Sequence, residues 1–257
     1  MKKTYILVFI ALFITLGTYS QSRQVPNLLY FDNAKYHFGF LLGTNQMLFT
    51  IKTADDFQNV TYYNNANQQN MPDIYCDSAR LYNVEGRPSF GFVIGIIGNM
   101  RMSEHFDLRL TPSLSFGERR LQYDLLVYSE GEAPYKHRAD KDIQSTYIDF
   151  PLFVKYKGDR MHNVRPYVFA GAKYMLDLAS NAKKREKENA GYVFLNRNDF
   201  YAFAGAGFDF YTAYFKFGVE ASMSYGIIDV IKRNDQIYTL GIEKLTSKIF
   251  QLSFTFE

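Results

Sequence analysis

The stretch FDLRLTPSLSFG, from Phe106 to Gly117, decides the fold. Successive side chains of an extended strand point to opposite faces. Phe106, Leu108, Leu110, Pro112, Leu114 and Phe116 therefore share one side, and Asp107, Arg109, Thr111, Ser113 and Ser115 share the other. A strand with one greasy and one charged face either half-buries a sheet in water or sets its apolar side against lipid around a polar lumen. The same alternation recurs in seven further segments, giving eight candidate strands: roughly Tyr36–Phe49, Ser89–Arg101, Phe106–Leu121, Ser145–Lys157, Arg165–Leu178, Asp199–Phe210, Tyr214–Gly226 and Thr246–Glu257. Each is long enough to cross a bilayer when tilted, which takes about 9–11 residues.

The connections choose lipid over water. Met102–His105, Gly158–Val164 and Tyr211–Ala213 are short, whereas Thr50–Pro88, Leu125–Gln144, Ala179–Asn198 and Ile227–Leu245 are long and rich in Asn, Asp, Lys, Glu and Gln. Regular alternation of short turns and long loops marks an up-and-down barrel of an outer membrane, with an even strand number and both termini in the periplasm. The faces agree. Phe90, Phe92, Ile94 and Ile96, then Ile148, Phe150, Leu152, Val154 and Tyr156, would meet lipid, opposite Gly91, Gly95, Asn99 and Arg101 and opposite Tyr147, Asp149 and Lys155. Aromatics gather at the turn end, at Tyr36, Phe38, Phe106, Tyr156, Phe208, Phe210, Tyr214 and Phe215, where an interfacial girdle belongs. A soluble lipocalin-like barrel would have its apolar faces inward and its charges out. The last strand ends Phe250, Leu252, Phe254, Phe256, Glu257, an aromatic-rich alternation like that of insertion signals, with Glu257 in place of the usual final aromatic.

The N-terminus directs export. Lys2 and Lys3 precede the apolar run Tyr5 to Gly17 and the small polar stretch Thr18 to Gln21, which reads as a signal peptide over 1–20, too short to span as a helix. Residues 21–35 then form a periplasmic lead segment and 36–257 the barrel. The formal net charge of +3 falls to +1 once Lys2 and Lys3 are removed, with both signs spread along the chain, which does not suggest a nucleic-acid partner. The chain has 21 Tyr and 24 Phe, a composition suited to strands. Cys76 is the single cysteine, so no internal disulfide forms.

An interior of eight strands is only wide enough to be filled by side chains. Charges facing it must pair, because an unpaired buried charge is costly. Arg101, Asp107, Arg109, Asp149, Lys155, Lys173, Asp177, Asp209, Lys216 and Glu220 are accordingly expected to form a structural lumen network. Catalysis finds little support. His105 and His162 fall in short turns, His37 at the turn end of the first strand and His137 in a long outer loop, close to Asp140 and Asp142. No metal-ligand spacing, nucleophile motif, phosphate-cradling glycine loop or small-molecule substrate site appears, and no cofactor is implied. Lys183, Lys184, Arg185, Glu186, Lys187 and Glu188 read as a solvated loop tip, with lipopolysaccharide contact as the sharper alternative. Pro112 and Pro151 sit at similar height in neighbouring strands and predict a ladder defect or bulge. Beyond Gly117 the apolar parity looks reversed at Leu121, Tyr123 and Leu125, which predicts a bulge where the third strand leaves the membrane.

The segments YHFGFLLGTN from Tyr36, PSFGFVIGIIGNMRMSEHFDLRLTPSLSFGERRLQY from Pro88 and STYIDFPLFVKYKGDRMHNVRPYVFAGAKYMLDL from Ser145 resemble the PorT family of Bacteroidetes outer-membrane proteins. The resemblance covers most of the mature chain and is sharpest at LRLTPSLSFGER and TYIDFPLFVKYK. It implies an accessory of type IX protein secretion, with other components of that machinery as partners. Asn27, Leu28, Tyr30 and Asp32 match the entry motif of the family and become the candidate partner contact. The expected architecture is an all-β, eight-stranded antiparallel up-and-down transmembrane β-barrel in contact with outer-membrane lipid and lipopolysaccharide. A small structural or adhesive barrel of the OmpA or OmpX kind is the alternative.

Overall fold

The computed structural model of the chain describes residues 26–65, 68–69, 74, 76–178, 193–234 and 236–257. The signal peptide expected over 1–20, the start of the expected lead segment and the charged stretch Lys183 to Glu188 lie outside them. The strands are β1 (Tyr36–Thr53), β2 (Thr61–Asn65), β3 (Gln68–Gln69), β4 (Ser78–Arg87), β5 (Ser89–Arg101), β6 (Phe106–Leu110), β7 (Ser113–Tyr128), β8 (Tyr135–Lys157), β9 (Val164–Asp177), β10 (Phe194–Leu195), β11 (Asn198–Tyr211), β12 (Lys216–Gly226), β13 (Ile231–Lys232) and β14 (Ile242–Phe256). A 3-10 turn, Phe31–Asn33, precedes them, and one helical turn, α1 (Ile237–Leu240), leads into β14.

Twelve strands share one antiparallel sheet, and β10 pairs with β13 apart from it. β1 pairs with β14 on one side and with β5 on the other, so the ladder β1-β5-β6/β7-β8-β9-β11-β12-β14 returns to its start. Alternation is what builds this ring. On β8, Leu152 is 48% exposed and Val154 43%, whereas Phe153 between them and Lys155 beside them are 5% and 0% exposed. The apolar band runs round the outside through Phe40, Leu42, Phe92, Ile94, Leu114, Phe208, Phe250 and Leu252, and all eight girdle aromatics read from the sequence are exposed at the turn end. Inside, small residues make room for large ones. A Cβ on Gly205 would lie 2.4 Å from the Phe169 ring, and one on Gly207 would lie 2.7 Å from the Tyr167 ring.

The prolines interrupt the ladder without adding a residue. β6 stops at Leu110 and β7 starts at Ser113, yet Gly98↔Leu110 and Gly95↔Ser113 keep one register against β5. The Thr111 N–H donates to the Pro151 carbonyl at 3.1 Å, which puts the two prolines at one level, and β8 continues unbroken through Pro151.

Three expectations are corrected. First, β7 has no bulge past Gly117: its register with β8 runs without a shift from Ser113↔Asp149 to Val127↔Tyr135. Odd positions stay inside throughout, and Leu121, Tyr123, Leu125 and Val127 are buried there. The interior itself changes from polar to apolar. Second, the connection after β1 is not all loop. It carries β4, which pairs with β7 from Ser78↔Tyr128 to Arg87↔Arg120, with a register shift between Leu81 and Asn83. Third, β7 and β8 form one long hairpin whose turn is only 129–134, so His137 lies on β8 and not in a loop. This extension encloses a core of Phe49, Leu81, Leu121, Tyr123, Leu125, Tyr238, Ile242 and Leu245. Full burial of each such side chain is worth about 1.5–3 kcal/mol, so hydrophobic packing holds the extension together.

Candidate functional site

From the turn end upward, inward-facing charges meet in pairs. Lys157 lies 2.7 Å from Asp107, whose other oxygen accepts from Asn99 at 3.0 Å. Asp209 is shared by Lys155 at 2.8 Å and Lys216 at 3.8 Å. Arg109 reaches Glu220 at 2.7 Å and also binds Glu257, which Lys216 approaches at 2.8 Å. The Tyr167 hydroxyl donates to Glu220 at 2.8 Å, and the Lys155 ammonium sits 3.5 Å from the centre of the Tyr167 ring. Each carboxylate therefore faces a cation through at least one short contact, the condition under which buried ions are tolerated.

Above this layer Phe153, Phe169 and Phe203 pack with ring centroids 5.0 to 6.1 Å apart. They leave a cavity of about 30 Å³ bordered by Thr111, Asp149, Lys173 and Gln251. Such a space is large enough to admit water, which needs roughly 10–15 Å³. Asp149 accepts from Ser115 at 2.6 Å and lies 3.9 Å from Lys173. Still higher, Arg119 is sandwiched between the Phe49 and Tyr147 rings at 4.9 and 4.8 Å and donates to Ser247. The loop end is closed by α1, where the Tyr123 hydroxyl donates to the Tyr238 carbonyl at 3.0 Å.

The turn end is closed by the lead segment. Arg165 contacts the Asp32 carboxylate at 3.1 Å and the Tyr211 hydroxyl donates to it at 2.6 Å. Burial works to raise that carboxyl, but the Tyr211 hydrogen bond and the Lys216, Arg165 and Lys157 charges outweigh it and hold Asp32 below the usual carboxylate range. The Asn27 backbone carbonyl accepts from Arg160, its N–H donates to the Asn163 side chain at 2.8 Å and its side chain donates to the Tyr211 carbonyl at 3.1 Å. The Leu28 carbonyl also faces Arg160, at 3.4 Å, and the His37 ring binds the Phe31 carbonyl at 2.7 Å.

Of the ten residues expected in the lumen, Asp107, Arg109, Asp149, Lys155, Lys173, Asp209, Lys216 and Glu220 are buried and ion-paired, and Asp177 is buried at the upper end. Arg101 is a correction. It is the last residue of β5, at the rim, and its side chain donates to Asn33 and the Ser103 carbonyl, both at 3.4 Å, while Lys157 takes Asp107. Sequence reasoning missed Lys157, Arg165, Arg119 and Glu257. Strand parity held the signal: Lys157 follows Lys155 by two, and Glu257 follows Ser253 and Thr255 on the inward set. Of the four lead-segment candidates, Asn27 and Asp32 are engaged by the ring itself, Leu28 adopts a left-handed backbone with φ 50°, and Tyr30 projects into solvent, 80% exposed.

An apolar outer band round a filled, charge-paired interior defines an integral membrane β-barrel. The family profile described as "Outer membrane protein beta-barrel domain" matches residues 19–232, and the chain belongs to that family, which places it in the outer membrane. The crystal structure of the outer membrane protein OprG from Pseudomonas aeruginosa is similar over 87% of this chain and 94% of that chain, with 12% identity and a TM-score of 0.36. None of the curated proteins compared matches the chain.

Proposed function

We propose that the ring is an eight-stranded barrel, inserted with its short turns and lead segment toward the periplasm, that serves type IX protein secretion as a non-enzymatic accessory. The observation that carries this reading is the sealed lumen. A wall filled with ion pairs and rings, with a cavity of about 30 Å³ and closures at both ends, passes no folded cargo. Such a barrel acts through its surfaces, by assembling, docking or stabilising other components. The secretion route rests on the resemblance of the segments from Tyr36, Pro88 and Ser145 to the PorT family. Tyr30 and Leu29, exposed beside the ring at the turn end, are the side of the lead segment open to a periplasmic partner, while Asn27 and Asp32 fasten it. Deleting the gene is the test: cargo with a C-terminal secretion signal should stay inside the cell, and complementation should restore export. Normal export with altered surface properties would favour the second reading, a structural or adhesive barrel, which the packed extension beyond the membrane supports.

A further inference from the structure

Along the outer half of β8 one edge has no strand partner among the described residues. From Tyr147 to Lys157 the strand has neighbours on both sides, β6/β7 and β9. From Tyr135 to Ser145 it pairs with β7 alone among the described residues. An unpaired strand edge is a template for another strand. Its outward row reads Lys136, Arg138, Asp140, Asp142, all exposed. Two bases followed by two acids at every second position form a pattern complementary to itself when reversed. Set antiparallel about Ala139, one copy opposes Arg138 to Asp140 of another and Lys136 to Asp142.

The neighbouring strand extends the match. Asp142 already meets Arg120 of β7 at 3.0 Å, and Arg138 meets Asp124 at 2.9 Å. A second copy would continue those rows with alternating sign, Arg120–Asp142–Lys136 and Asp124–Arg138–Asp140. Lys136 otherwise lies over the Tyr82 ring at 5.2 Å, and Asp140 makes no ion pair among the described residues. We infer that the outer edge of β8 is a homophilic contact that pairs, two-fold and antiparallel, with β8 of a second copy. The geometry fixes where that copy stands. Copies inserted in one membrane point the same way, with strands tilted by about 35–45°, so their β8 edges cannot run antiparallel. The partner belongs to a facing membrane. This rests on the loop end lying outside the cell, part of the functional reading above.

A single strand pair of this length is a weak interface, below the roughly 1,200 Å² of stable complexes, and each exposed cross-strand charge pair adds little to it. The charges set register and partner choice, and adhesion comes from many copies acting together. Vesicles carrying the full chain should aggregate, less so at high salt. K136E/R138E vesicles alone, and D140K/D142K vesicles alone, should lose aggregation by about tenfold or more, since like charges then face each other. Mixing the two variants should restore it, because all four pairs become opposite again. In detergent, where membrane orientation plays no part, a mixture of Arg138→Cys and Asp140→Cys chains, whose exposed thiols face each other across the pair, should form a disulfide-linked dimer that K136E in both chains abolishes, while the unaltered chain, whose Cys76 is buried, should not. Dispersed wild-type vesicles, variants that aggregate as well as the wild type, or a mixture that fails would overturn the proposal and leave the charged edge as a guard against pairing. A cross-linked dimer in detergent with dispersed vesicles would instead count against the assumed orientation, and so against a contact between membranes.

Discussion

Along β7, Ser113 and Ser115 face inward opposite exposed Leu114, and only a few residues further Leu121, Tyr123 and Leu125 face inward opposite Arg120 and Asp124. The strand, its register and its inward parity are unchanged across Gly117; the chemistry inverts. Below, the wall is apolar outside and its interior is charged. Above, the wall is polar outside and its interior is a packed apolar core. The difference teaches that the surroundings of the strand decide its inside. Lipid outside accepts the apolar residues, so the lumen takes the polar set and must pair every charge. Water outside makes burying the apolar residues favourable, so the extension packs like a soluble domain.

The two regions should therefore fail differently. Arg109→Leu removes the cation shared by Glu220 and Glu257 and should destabilise the ring by about 3–5 kcal/mol, read as a lower urea midpoint for unfolding of the heat-modifiable form in micelles. Leu81→Ala opens a void in the extension, where Leu81 is fully buried, and should cost about 2–5 kcal/mol. That loss should appear as protease cutting in β4 and the β7–β8 hairpin while the heat-modifiable ring stays intact. Loss of both together would break the division. Outward positions should contrast as sharply. Leu152→Arg in the apolar band should cost about 2–4 kcal/mol, and Lys244→Leu on exposed β14 of the extension should change stability by no more than about 0.5 kcal/mol.

The lead segment should loosen without unfolding either region. Asp32→Asn should weaken its hold by about 1.5–3 kcal/mol, the range for hydrogen bonds to a charged group, and make residues 26–35 cleavable in otherwise folded protein. The pH dependence has a fixed sign. Because the folded carboxyl titrates below the ordinary value, its stabilisation is complete above about pH 4 and is lost as pH falls through the folded value. Cleavage of the lead segment should accelerate only in that acid range, and the Asn variant should show no such step.

Strand parity made the ring legible. Ser89–Arg101 matches β5 at both ends, and the other seven segments place their ring strands within a few residues at the turn end. The same rule failed at Leu121 because it assumed a polar lumen throughout, so a change of filling looked like a change of phase. β4 stayed hidden within Thr50–Pro88 because its strand is held by a long-range partner, β7, and by the core at Leu81, neither of which leaves a local period. The pairing of Asp32 with Arg165 is likewise non-local, 133 residues apart. Arg101 shows the opposite limit: parity put it inward, but a strand's last residue at the rim reaches the lead segment instead.

The division between the two regions is tested most directly by single cysteines along the outward face of β8, replacing Lys136, Arg138, Asp140, Asp142, Ile148, Phe150, Leu152 and Val154 in turn and labelling outer membranes with a water-borne maleimide. The four positions of the extension should label and the four of the band should stay protected, with the change between Asp142 and Ile148. Labelling that continues through Phe150 and Leu152, or protection that begins at Lys136, would contradict the account.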